Sequence, residues 1–285
     1  MKTKVVIIFS VAILIAFQST LSQPKSVAKT LDINHHSVVA ILRVDSLGKA
    51  YVLASGVLIH PQVVLTAGHV NFNSAKTGKG GCETQGFVSF AENAYNLDDR
   101  LPFDWLKNIE SHPDTADFRK SHTDTTGQTN PSMFVDIGLL FLNQPILNRP
   151  IVHLPKPNAL NDIKPDNVLL GVGFGYYKIF DSTFVESLVD GYRRQWRPHN
   201  LSLYNDLWLS VQCDTITNLP FLSIHDSGSP LLLDDNTVVG IWSRVMFNEA
   251  AEPCLYSSWA VRIDNSKVLR WIKESIKKRL DIDMR

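Results

Sequence analysis

Ser227 stands in the run His225-Asp226-Ser227-Gly228-Ser229-Pro230-Leu231, between an acid and a glycine and just ahead of an apolar stretch. A serine hydroxyl is a poor nucleophile at neutral pH and needs a base within hydrogen-bond reach. Imidazole suits that task, because its unperturbed pKa lies near working pH. His69, in Leu65-Thr66-Ala67-Gly68-His69-Val70, offers one. A buried carboxylate can fix the tautomer of such a histidine and stabilise the imidazolium that forms. Asp136, in Asp136-Ile137-Gly138-Leu139-Leu140, could supply it. Each residue also has an ordinary alternative: a satisfied strand-end histidine, a turn or cap aspartate, and a serine in a tight turn. The three are remote in sequence, so any shared chemistry depends on the fold that brings them together.

Taken together, the three segments resemble the signature segments of the chymotrypsin/trypsin family of serine peptidases, in the family's chain order His, Asp, Ser. The likeness is to a divergent, bacterial-type member and spans about residues 37 to 276. It implies that Ser227 attacks, His69 takes and returns the proton, and Asp136 orients His69. It also implies an oxyanion hole from the backbone N–H groups of His225 and Ser227, although the family usually has glycine where His225 stands. A side chain there strains a backbone that glycine would adopt freely, and so could turn the amide away. Asp226 matches the family's partner for a newly freed N-terminus, with Lys29–Thr30 as the activation bond; the alternative is an internal donor to Asp226. For substrate binding the likeness points to Phe221 at the pocket base, the strand Ser243-Arg244-Val245, and Ser257 opposite. Without an aspartate at the pocket base, Lys/Arg preference is not expected, and Val245 would narrow the entrance for a small or medium apolar side chain. Arg244 could favour an acidic residue further along the substrate, or simply be solvated. Family members bridge the region around the nucleophile, so Cys213 and Cys254 would pair and leave Cys82 over. The family's disulfide beside the histidine is absent, with Ser55 and Val70 near its positions. No metal or organic cofactor is implied.

The elements that must position these groups are short strands between turns. Val38–Val44 and Tyr51–Ile59 read as a hairpin across Asp45-Ser46-Leu47-Gly48, and Val63–Thr66 delivers His69. Phe87–Phe90, Leu106–Ile109 and Val135–Leu142 are further strand candidates, with Ser121–Ser132 a surface insertion. Beyond an interbarrel crossing at Pro145–Pro155 come Val168–Tyr177, Leu207–Val211, Val238–Trp242 and Trp259–Ile263. The cluster Arg193-Arg194-Gln195-Trp196-Arg197 reads as a solvated loop. Val268, Leu269, Ile272 and Ile276 share one face of a terminal helix. The family resemblance implies an all-β architecture: two packed six-stranded antiparallel β-barrels, at about residues 37–150 and 151–265, with a C-terminal α-helix at about 266–280, inside a peptidase domain at 37–285.

Lys2 and Lys4 precede an apolar run from Val5 to Phe17 and the small residues Ser19, Thr20 and Ser22, so residues 1–22 read as a secretory signal peptide. The run is short of the roughly 20 apolar residues a span needs. Residues 23–36 form an N-terminal segment or propeptide. Acidic and basic residues balance at 28 each, which argues against nucleic acid or anionic lipid as an obligate partner. Three cysteines in a secreted chain suggest one bond and one free thiol. The sequence therefore points to a secreted, monomeric serine endopeptidase, extracellular or periplasmic, acting on protein or peptide substrates. Its rivals are a binding protein on the same fold that has lost catalysis, and an esterase of another fold. The esterase would show a Gly-x-Ser-x-Gly elbow and the order Ser, Asp, His.

Overall fold

The computed structural model describes residues 30–45, 47–74, 85–115, 134–162, 169–175, 177–180, 186–189, 191–198, 201–203, 205–212, 222, 225–247 and 256–282. The signal segment, Lys29, all three cysteines, Phe221 and the Ser121–Ser132 insertion lie outside them. Strands are numbered in chain order. The first curled antiparallel sheet contains β2 (Val38–Val44), β3 (Ala50–His60), β4 (Val63–Thr66), β5 (Gln85–Ser89), β6 (Arg100–Asp104), β7 (Ile109–Ser111) and β8 (Gly138–Phe141), in the spatial order β6-β5-β2-β3-β4-β8-β7. The second contains β1 (Thr30–Leu31), β9 (Leu170–Gly173), β12 (Arg194–Trp196), β13 (Leu201–Leu203), β14 (Trp208–Gln212), β15 (Pro230–Leu232), β16 (Val238–Phe247) and β17 (Tyr256–Arg262), ordered β1-β12-β9-β15-β16-β17-β14-β13. A separate hairpin joins β10 (Tyr177–Phe180) and β11 (Glu186–Val189). This is the expected two-sheet plan, with seven and eight strands among the described residues rather than six each, because short strands such as β1 and β7 extend the edges.

Alternation along the strands explains why the second sheet is buried on both faces. Trp208, Val238, Ile241 and Val261 face one apolar cluster, which continues into the first sheet and the terminal helix. Their neighbours Leu209, Val239, Trp242 and Ala260 face a second cluster with Trp196 and Leu231. The helices are α1 (His69–Ser74), α2 (Trp105–Asn108) and α3 (Ser266–Leu280). In α3 the Asn265 side chain caps the first turn by accepting from the Lys267 and Val268 N–H groups. Lys277, Lys278 and Arg279 occupy the last turn, where the helix dipole favours cations. Its apolar face is buried through Val268, Leu269, Ile272 and Ile276. The helix also touches the first sheet's neighbourhood: Trp271 stacks edge-on against His112 at 5.0 Å, and the Ser275 hydroxyl donates to Glu110 at 2.9 Å.

Two local expectations are corrected. Leu106–Ile109 is not a strand: Asp104 caps a helical turn by accepting from Leu106 N–H at 2.8 Å, and only Ile109 enters β7. The Arg193–Arg197 cluster is not a solvated loop. Arg194–Trp196 is a strand, and Arg193 is 1% exposed, ion-paired through Nε to Asp32 at 2.8 Å. The sequence shows five polar or aromatic residues there, but not the remote carboxylate that makes burying the cation tolerable.

Candidate active site

Strand pairing decides where the first two groups meet. β4 and β8 are antiparallel neighbours with Thr66 opposite Gly138, so the residues just after β4 and just before β8 share one end of the first sheet. His69 begins α1 at that end, and Asp136 precedes β8 by two residues. The fully buried Asp136 accepts twice from one residue, from His69 N–H at 2.7 Å and from His69 Nδ1 at 2.7 Å. Because Nδ1 keeps its proton and donates it in a hydrogen bond to the carboxylate, Nε2 is the unprotonated, basic nitrogen, on the far side of the ring.

Ser227 reaches that nitrogen from the second sheet. It sits in the turn before β15, and its Oγ lies 3.0 Å from His69 Nε2 and 3.2 Å from the Ser243 carbonyl. The turn is tied to β16: Gly228 N–H donates to Trp242 O at 2.7 Å, and Trp242 N–H donates to Ser229 O at 2.9 Å. Gly228 is needed there. Its φ is +85°, and a Cβ would overlap the Ser55 carbonyl and the Thr66 hydroxyl.

Burial pushes the Asp136 carboxyl up, but the positive charge and hydrogen bonds of His69, aided by Ser243, outweigh it and hold the group below the usual carboxylate range. The Ser243 hydroxyl donates to Asp136 Oδ2 at 2.5 Å. Ser243 was expected as part of a substrate-pairing strand. It lies in β16 with its side chain buried against the carboxylate, while its carbonyl faces the Ser227 hydroxyl. No spacing rule in the sequence links position 243 to position 136, so this support could not be read there.

His225 has φ of +75°. It thus occupies the left-handed region despite its Cβ, so the side chain does not drive the backbone out of that conformation. Its Nδ1 donates to the Leu53 carbonyl at 3.0 Å, which takes the ring toward β3. Asp226 is fully buried and has an internal donor, Gly175 N–H at 3.0 Å; a side chain at position 175 would overlap its carboxylate. Thr30 lies in β1, paired with Gln195.

The substrate-side residues are more scattered in character. Arg244 is half-buried with its guanidinium 5.0 Å from the Trp208 ring centre and 5.9 Å from that of Phe134. Burial lowers its pKa, and the charge of Asp136 opposes that shift. Val245 is 38% exposed. Ser257 is half-buried, and its hydroxyl accepts from Trp259 Nε1 at 2.7 Å. Phe221 and the Cys213–Cys254 pairing lie outside the described residues.

The trypsin family model matches residues 29–272 of the chain. The chain belongs to the trypsin family. Solved structures with this trypsin-family fold include a mutant of human heparin binding protein, at TM-score 0.57 and 15% identity, covering 89% of this chain and 97% of that one. An HL collagenase is similar at TM-score 0.56 and 14% identity, over 91% and 100% of the two chains. A structure named GrC is similar at TM-score 0.55 and 19% identity, over 87% and 98%. Comparison with curated proteins finds no match. Identities this low speak for the fold, and the chemistry must be argued from the side chains.

Proposed function

We propose that this trypsin-family protein is a secreted serine endopeptidase that cleaves peptide bonds through an acyl-enzyme. The observation that carries the reading is the unbroken hydrogen-bonded chain from Asp136 through His69 to Ser227. Ser227 Oγ attacks the scissile carbonyl carbon while His69 Nε2 takes its proton. The imidazolium, held by Asp136, then gives that proton to the leaving amine. In the second half water repeats the attack on the acyl group, with His69 again accepting and returning a proton. The backbone N–H groups of His225 and Ser227 are the proposed donors to the oxyanion. Arg244, Val245, Phe221 and Ser257 are the proposed substrate wall, with Lys or Arg not the preferred side chain.

A second reading, a binding protein with impaired catalysis, draws on the non-glycine residue at position 225 and on the fold shared with a heparin binding protein. The test is covalent labelling by a phosphonofluoridate. The endopeptidase reading expects one adduct on Ser227, none in Ser227→Ala, and peptide turnover that falls on the order of 10⁶-fold in that variant. An unlabelled Ser227 in the folded native protein would favour the binding protein.

A further inference from the structure

We propose that Ser55, on β3 of the first sheet, is a positioning residue that clamps the nucleophile turn and holds His225 in its left-handed conformation. The catalytic half of this inference rests on the endopeptidase reading; the clamp itself does not.

Ser55 is fully buried, and each of its four polar functions is engaged. Its N–H donates to Ser227 O at 2.8 Å, and its carbonyl accepts from the Thr66 hydroxyl at 2.7 Å. Its Oγ donates to His225 O at 3.2 Å and accepts from Phe174 N–H at 2.9 Å. One residue thus grips two carbonyls of the turn, those on either side of Asp226. The peptide planes 225–226 and 227–228 are both fixed by these bonds. The plane between them, which carries the Ser227 N–H, is bounded at each end. Two residues earlier on the same strand, the Leu53 carbonyl holds the His225 ring.

A non-glycine residue at positive φ persists only where its surroundings over-determine it. Here the surroundings are β3 and the segment after β9, which supplies Phe174 N–H to Ser55 and Gly175 N–H to Asp226. The hydroxyl is the right chemistry for that junction, because one atom must donate to a carbonyl and accept from an amide. Neither the apolar Ala side chain nor a sulfur already bound in a disulfide can do both.

Ser55→Ala removes the Oγ bonds and leaves the main-chain bonds of residue 55. Ser55→Cys keeps the bulk with a weak donor and acceptor, and decides the matter if Ser55→Ala does not fold. Two readouts are needed. Amide hydrogen exchange in residues 225–229 should accelerate, while exchange in β16 stays as in the native protein. On a peptide substrate kcat should fall about 10- to 100-fold with KM nearly unchanged, as expected for misplaced reacting groups. A peptide aldehyde, which forms an oxyanion on Ser227, should weaken by the same factor as kcat, and the matching peptide amide should not. Unchanged exchange overturns the clamp. Faster exchange with aldehyde and amide weakened equally overturns the positioning role and leaves a merely structural one. A native protein that neither turns over nor labels sinks the endopeptidase reading, yet the exchange readout still decides the clamp.

Discussion

At position 225 two opposing terms meet. Left-handed backbone costs an L-residue roughly 1–2 kcal/mol, while the imidazole bond to the Leu53 carbonyl returns about 1 kcal/mol. His225→Gly removes both, so its urea midpoint should stay close to that of the native protein. His225→Ala removes the bond and keeps the strain, and should be the less stable of the two by about 1 kcal/mol. Equal stabilities would mean that φ at this residue carries no strain. Asp136→Asn tests the carboxylate: an amide can present its N–H to Nδ1 and impose the wrong tautomer, so kcat should drop about 10⁴-fold with folding intact. The residues His69, Asp136 and Ser227 were legible because each sits in a short run with its own pattern. Ser243 and Ser55 were not, since a buried serine acting through a remote backbone carbonyl or carboxylate leaves no local mark.

Among the elements, the terminal helix was readable from its apolar spacing alone, and its cap Asn265 is the expected kind of residue. Asn265→Ala should cost about 1 kcal/mol, and Ile272→Ala, fully buried, about 2–5 kcal/mol, both by urea denaturation. Strands β2, β3 and β4 were equally plain, the first two being long and apolar and the short β4 mostly β-branched. β12 was missed because its polar sequence resembles a surface turn; it is interior because β1 and β9 pair with it on either side, Trp196 enters the second apolar cluster, and the preceding Arg193 meets the Asp32 carboxylate, 161 positions away. Asp32→Ala would leave Arg193 buried without that partner and should cost about 3–5 kcal/mol, whereas exposed Lys107→Ala should change little.

For the molecule as a whole, these buried carboxylates set an acid limit. Desolvation pushes Asp32 up, but His35 and Arg193 outweigh it and bring its pKa to about 2, below the ordinary 3.8. A depressed folded value means the stabilisation is complete above about pH 4 and is lost as pH falls from there toward 2. Asp136, shifted in the same direction, adds to this. The urea midpoint should therefore decline below pH 4, and decline less steeply in Asp32→Ala; equal slopes would remove Asp32 from the explanation. The two-sheet plan was foreseeable from strand spacing and the family likeness. The extra edge strands were not, because two- or three-residue pairings depend on what lies beside them.

β1 belongs to the second sheet although the chain then enters the first, and α3, which follows the second sheet, reaches back to Glu110 in β7 and to His112 just after it. Each half is therefore belted by a terminal piece adjoining the other. Severing the chain between the halves and purifying them apart should give two insoluble fragments, whereas co-expression of the same fragments should recover a folded pair.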